Sequence, residues 1–135
     1  MKTWRLLAAA AIIVASARVA PGARVLPQPY AGNGDYQIFC ASCHGAEARG
    51  DGVIAKSLKK PPPDLTVLTK RHDGVFPAEK VYKIIDGREP GSSHTSSDMP
   101  AWGDVFAKAS GSAGPENVAA RINAIVAYLK TLQAK

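Results

Sequence analysis

Residues 40–44 read Cys-Ala-Ser-Cys-His, and they hold both cysteines of the chain. Two thiols three positions apart can bind a metal, exchange disulfides, or add to the two vinyl groups of a haem. A structural disulfide between them would close a tiny loop and constrain almost nothing. A thioredoxin-like site expects a βαβ setting, and the chain shows no such pattern. A structural zinc site takes four ligands. His72 and His94 complete a Cys2His2 count, but their spacing is not finger-like.

Cys-x-x-Cys-His is the attachment signature of haem c. The spacing has a geometric reason. Two thioether bonds fix the vinyl edges, and His44 then lies under the ring with its imidazole available to the iron. The far side of the iron needs a sixth ligand or stays open. Apart from the initiator Met1, the chain has a single methionine, Met99, in Ser97-Asp98-Met99-Pro100-Ala101-Trp102-Gly103. That segment reads as a loop stiffened by Pro100, so Met99 is not the usual core filler. A thioether is a soft donor that favours ferrous iron and raises the reduction potential. Met99 is therefore the expected distal ligand. His94 and His72 are the competing ligands, and both read as solvated loop histidines.

The N-terminus has the layout of a secretory signal peptide. Met1-Lys2-Thr3-Trp4-Arg5 is a basic n-region, residues 6–17 are an uncharged apolar run, and Ala15-Ser16-Ala17 fits a small-x-small cleavage site. The run has about twelve residues where a bilayer span needs about twenty. An uncleaved N-terminal anchor is the alternative. No cysteine follows the run, which argues against a lipoprotein. Residues 1–17 are expected to be the signal, 18–29 (Pro-rich) a lead-in, and 30–135 one domain.

The 135 residues are 46% hydrophobic and 21% charged, ordinary for a globular protein of one domain. The formal charge is +6, and it falls to +4 once Lys2 and Arg5 leave with the signal. The basic residues are scattered, which gives nucleic-acid binding little support.

The elements that must position these residues read as helices. Tyr36, Phe39 and Cys40 share a face, so a first helix runs from about residue 31 into the cysteines. A short helix is expected near 53–58, a second clear one over 77–86 with Val81, Ile84 and Ile85 as its stripe, and a short piece at 104–108. Gly114 and Pro115 open the last, where Val118, Ile122, Ile125, Val126, Leu129 and Leu132 repeat at helical spacing. No strand pattern appears. The class is all-α with long loops, and loops this long in a small domain call for a central organiser.

The chain resembles the monohaem class I c-type cytochromes from about Ala31 to Leu132. In order come Gly32, Tyr36, the Cys40–Gly45 signature, Pro63-Asp64-Leu65, Met99-Pro100 and Ile125-Val126-Ala127-Tyr128-Leu129. The resemblance implies the cytochrome c fold: three to five short helices and long loops around one covalent haem c with its iron. Gly32, Tyr36 and Tyr128 would lie where the first and last helices cross. The Pro63 carbonyl would accept from His44 Nδ1–H, with Pro61 or Pro62 as alternatives because the segment after His44 is long. Trp102 would border the haem or fill the core. Arg88 would be solvent-exposed or pair with a propionate.

The expected function is single-electron transfer in the periplasm, with redox proteins as donor and acceptor. The expected protein is a monomer in isolation and not itself an enzyme. One alternative is a dedicated cytochrome subunit of an oxidase or dehydrogenase complex, including one at a membrane. Others are an open-iron catalytic protein and a haem-free thiol or zinc protein.

Overall fold

The computed structural model describes residues 32–88, 99–109 and 114–134. The expected signal segment, the lead-in and His94 lie outside these residues. Among the described residues there are five α-helices and no strand: α1 (Gly32–Phe39), α2 (Ala41–His44), α3 (Ala78–Asp86), α4 (Trp102–Ala109) and α5 (Pro115–Thr131). Two 3-10 turns, Ala55–Ser57 and Lys70–His72, lie in the long connection between α2 and α3. No helix among the described residues is long and apolar enough to cross a membrane.

The strongest local signals form as expected. Pro115 occupies the first turn of α5, with Glu116 at the positive end of the helix. Val118, Ile122, Ile125, Val126 and Leu129 are buried along one stripe. In α3, Val81 and Ile85 are buried, and Gly87 closes the helix in the left-handed conformation. Ile84 is only half-buried, whereas Asp86 is buried.

Three boundaries differ from expectation. The first helix does not run unbroken into the cysteines. Helix α1 ends at Phe39; Cys40 stays in the right-handed region with φ opened to −115° (ψ −35°), its N–H still bonded to the Tyr36 carbonyl at 2.9 Å, and a separate single turn, α2, starts after it. The segment at 53–58 narrows to one 3-10 turn. The helix expected at 104–108 begins earlier, at Trp102, so Trp102 and Gly103 are not loop residues. Packing explains the last case. The Trp102 ring lies 5.5 Å from Phe39 and 5.7 Å from Phe106 between centroids, which favours an early first turn.

The frame is the crossing of α1 and α5. A Cβ on Gly32 would collide with the Ala124 carbonyl, so the two backbones touch there. Tyr36 is fully buried and packs against Tyr128 at 5.4 Å between ring centroids. One turn along, Arg121 grips Asp35 with two parallel bonds, Nε to Oδ2 at 2.6 Å and Nη2 to Oδ1 at 2.7 Å. Its guanidinium also lies over Phe39 and Phe106, at 4.9 and 4.4 Å from the ring centroids. The pair is largely buried, so removing either partner would strand a charge, typically at a cost of about 3–5 kcal/mol.

Candidate haem-attachment site

Tyr36 reaches from α1 into the Cys-x-x-Cys-His turn. Its hydroxyl donates to the Gly45 carbonyl at 2.8 Å, just past His44. The turn itself is α2, and its C-terminal carbonyls are capped by the chain that follows. Gly50, Gly52 and Ile54 N–H groups bond to the His44, Cys43 and Ser42 carbonyls at 2.8, 3.1 and 3.1 Å. These bonds satisfy acceptors that a helix end leaves open, and they hold the 45–54 loop on the turn.

Cys40 and Cys43 are both free thiols and half-buried. The Cys40 thiol is pushed up to about 12, first by burial and then by the charge of Asp35. His44 is buried, and that burial is the main force lowering its pKa. The Pro63 backbone opposes this as a hydrogen-bond acceptor for the ring, while no bond of full geometry closes on Nδ1. The loop reaches this position because Gly50 packs flat against the Pro62–Pro63 peptide. Of the three consecutive prolines, Pro63 is the one whose backbone opposes the lowering of the His44 pKa.

The wall above the turn comes from the 64–76 segment. Asp64 accepts from the Thr66 N–H at 2.8 Å and its hydroxyl at 2.6 Å, and these bonds hold its carboxyl below the usual range. Leu65 N–H bonds to the Ala48 carbonyl at 2.8 Å. Gln133, beyond α5, braces the segment from the other side. Its Oε1 accepts from Thr69 N–H at 2.9 Å, and its Nε2 donates to the Leu65 and Leu129 carbonyls at 2.8 Å. Leu65, Leu68, Phe76, Tyr82, Met99 and Trp102 all pack against the core yet stay only partly buried.

Of the other candidate residues, His72 has partners on both ring nitrogens, the Leu68 carbonyl at 2.9 Å and Lys80 Nζ at 3.5 Å. Arg88 pairs with the buried Asp86, with Nη2 2.7 Å from Oδ1, and its side chain is 39% exposed. Among the described residues, no three His, Cys, Asp or Glu side chains cluster as a metal site.

Sequence reasoning missed the Asp35–Arg121 pair and Gln133. The first carried a readable signal. Asp35 stands three residues after Gly32 and four before Phe39, and Arg121 three after Val118 and four before Ile125. Both are charges on otherwise apolar helical stripes. Gln133 had no such signal.

The residues present suit a covalent haem. Two thiols and an imidazole share one helical turn, the buried His44 Nδ1 lacks a full partner, and half-covered apolar side chains pack on the same core as Cys40. No curated protein and no solved structure matches the chain at significance. A family model described as Cytochrome c matches residues 30–133, most of the length. With a single Cys-x-x-Cys-His in that span, the chain belongs to the cytochrome c family, as a monohaem class I c-type cytochrome with one covalent haem c and its iron.

Proposed function

We propose that this cytochrome is a six-coordinate single-electron carrier, with His44 and Met99 as the axial ligands and Cys40 and Cys43 as the thioether anchors. Membership of the family already carries haem-based electron transfer with redox protein partners. The observation that supports the finer reading is Met99. It is the only methionine besides Met1, and it packs half-buried against the core rather than filling it. Bound haem supplies the one-electron change, between ferrous and ferric iron. The protein's own groups do the rest. His44 donates its imidazole, and the Pro63 carbonyl orients that ring and strengthens it as a donor. Met99 contributes a soft thioether that favours the reduced state. Leu65, Leu68 and Phe76 cover an apolar wall and keep water out.

Residues 1–17 support export to the periplasm, with redox enzymes met briefly at a small interface. Whether the chain serves as a free carrier or as a fixed subunit of an oxidase or dehydrogenase is decided by co-purification from its native source. The ligand set is tested by the visible spectrum of ferric holoprotein. Low-spin iron with the weak far-red sulfur-to-iron band is expected, and Met99→Ala should lose the band. High-spin iron in the unmodified protein would sink the carrier reading.

A further inference from the structure

Met99 precedes α4 by three residues, so its position depends on how the start of α4 is held. At most about 10 Å of chain separates it from Trp102. That start is fixed on two sides. Trp102 sits in the aromatic cluster with Phe39 and Phe106, which ties it to α1 and the cysteine turn. On the other side Gly103, also buried, lies on the end of α3.

The contact at Gly103 is specific. A Cβ there would collide with the Asp86 carboxylate and with Arg88 Nε, and would stand 2.8 Å from the Asp86 carbonyl oxygen. Asp86 is buried, and Arg88 holds it with Nε at 2.9 Å and Nη2 at 2.7 Å from the same oxygen. Arg88 can fold back because Gly87 reverses the chain in the left-handed conformation (φ 66°). The ion pair thus forms a flat seat, and only glycine fits on it.

We infer that Gly103 and the Asp86–Arg88 pair are positioning residues for the Met99 ligand: a latch that clamps the start of α4 onto the end of α3 and so fixes where the thioether stands. This rests on the Met99 reading above. A merely structural role would lower overall stability. Loss of a positioning role would also raise the fraction of molecules in which the sixth site is open. An added ligand reports that fraction, because its apparent affinity scales with the population able to bind it.

The test is imidazole titration of ferric holoprotein, read with the far-red band and urea unfolding. Gly103→Ala is compared with Ile122→Val, a core trim away from the latch. The unmodified protein should show the band and bind imidazole weakly. Gly103→Ala should weaken the band and tighten imidazole binding by about tenfold, while Ile122→Val unfolds at lower urea with its imidazole affinity unchanged. Arg88→Leu opens the same latch without adding an atom at Gly103. It should act in the same direction if Gly103→Ala does not fold, and Arg88→Lys should recover part of the effect. Variants that lose urea stability yet keep the band and the wild-type imidazole affinity would overturn the latch. If the unmodified protein itself lacks the band, the Met99 reading fails and the latch fails with it.

Discussion

The two sides of the haem turn are built differently. On one side α1 and α5 meet backbone to backbone at Gly32, bury Tyr36 completely and lock Asp35 to Arg121. On the other side, the 64–76 segment is held by hydrogen bonds from Asp64 and Gln133, and its apolar residues stay half-covered. The contrast separates a frame held by helix-on-helix packing from a wall held by hydrogen bonds. Buried apolar area stabilises roughly in proportion to its extent, so bound haem would add most to a segment whose own hold is by hydrogen bonds.

The largest expected effect comes from removing the haem. In a Cys40→Ala/Cys43→Ala chain, hydrogen exchange should accelerate at Leu65 and Thr69 while amides of α1 and α5 stay comparatively protected. Equal loss on both sides would erase the distinction. Next is Gly32→Ala, which attacks the frame. Its Cβ meets the Ala124 backbone, which cannot swing aside as a side chain could. Urea unfolding of holoprotein should show a loss of about 3 kcal/mol or more.

Gln133→Ala attacks the wall and should cost about 1–2 kcal/mol, from three bonds of which some are replaced by water. Exchange at Thr69, whose amide it accepts, should rise about tenfold or more at unchanged exchange within α1. Asp64→Asn should have the smallest effect, and that effect depends on pH. The native carboxyl titrates below its ordinary 3.8, so its contribution is present above that value and lost as pH falls through the lowered one. Urea midpoints of variant and wild type should differ slightly at pH 7 and converge in acid.

How much of this was legible in the sequence follows the same division. α3 and α5 announced themselves by proline, acidic first turns, apolar stripes and glycine, and the cysteine turn by its spacing. Gly32, Tyr128 and the crossing role of Tyr36 were found through resemblance to a family, while local spacing marked only the helical face that Tyr36 shares with Phe39 and Cys40. The early start at Trp102 was not legible, because it depends on Phe39, brought in from elsewhere, and the boundary at Cys40 carried no mark in the local pattern. Gln133 is the extreme case. Its partners Leu65 and Thr69 lie 68 and 64 positions away, and nothing around it in sequence marks it. Arg88 shows the converse: its charge was noticed, but its partner was two residues away at Asp86.

The separation of these partners also sets an order of assembly. Asp35 finds Arg121 86 positions later, and the Thr66 carbonyl finds the Ala134 amide. A chain made from its N-terminus therefore presents Cys40 and Cys43 while both the frame and the wall are still unwritten. Closing loops of that length is entropically late. The thiols are open in the unfolded chain and half-buried after folding, when burial has pushed Cys40 up to about 12. Thioether formation is therefore expected to be easiest before α5 docks, while the chain is still unfolded.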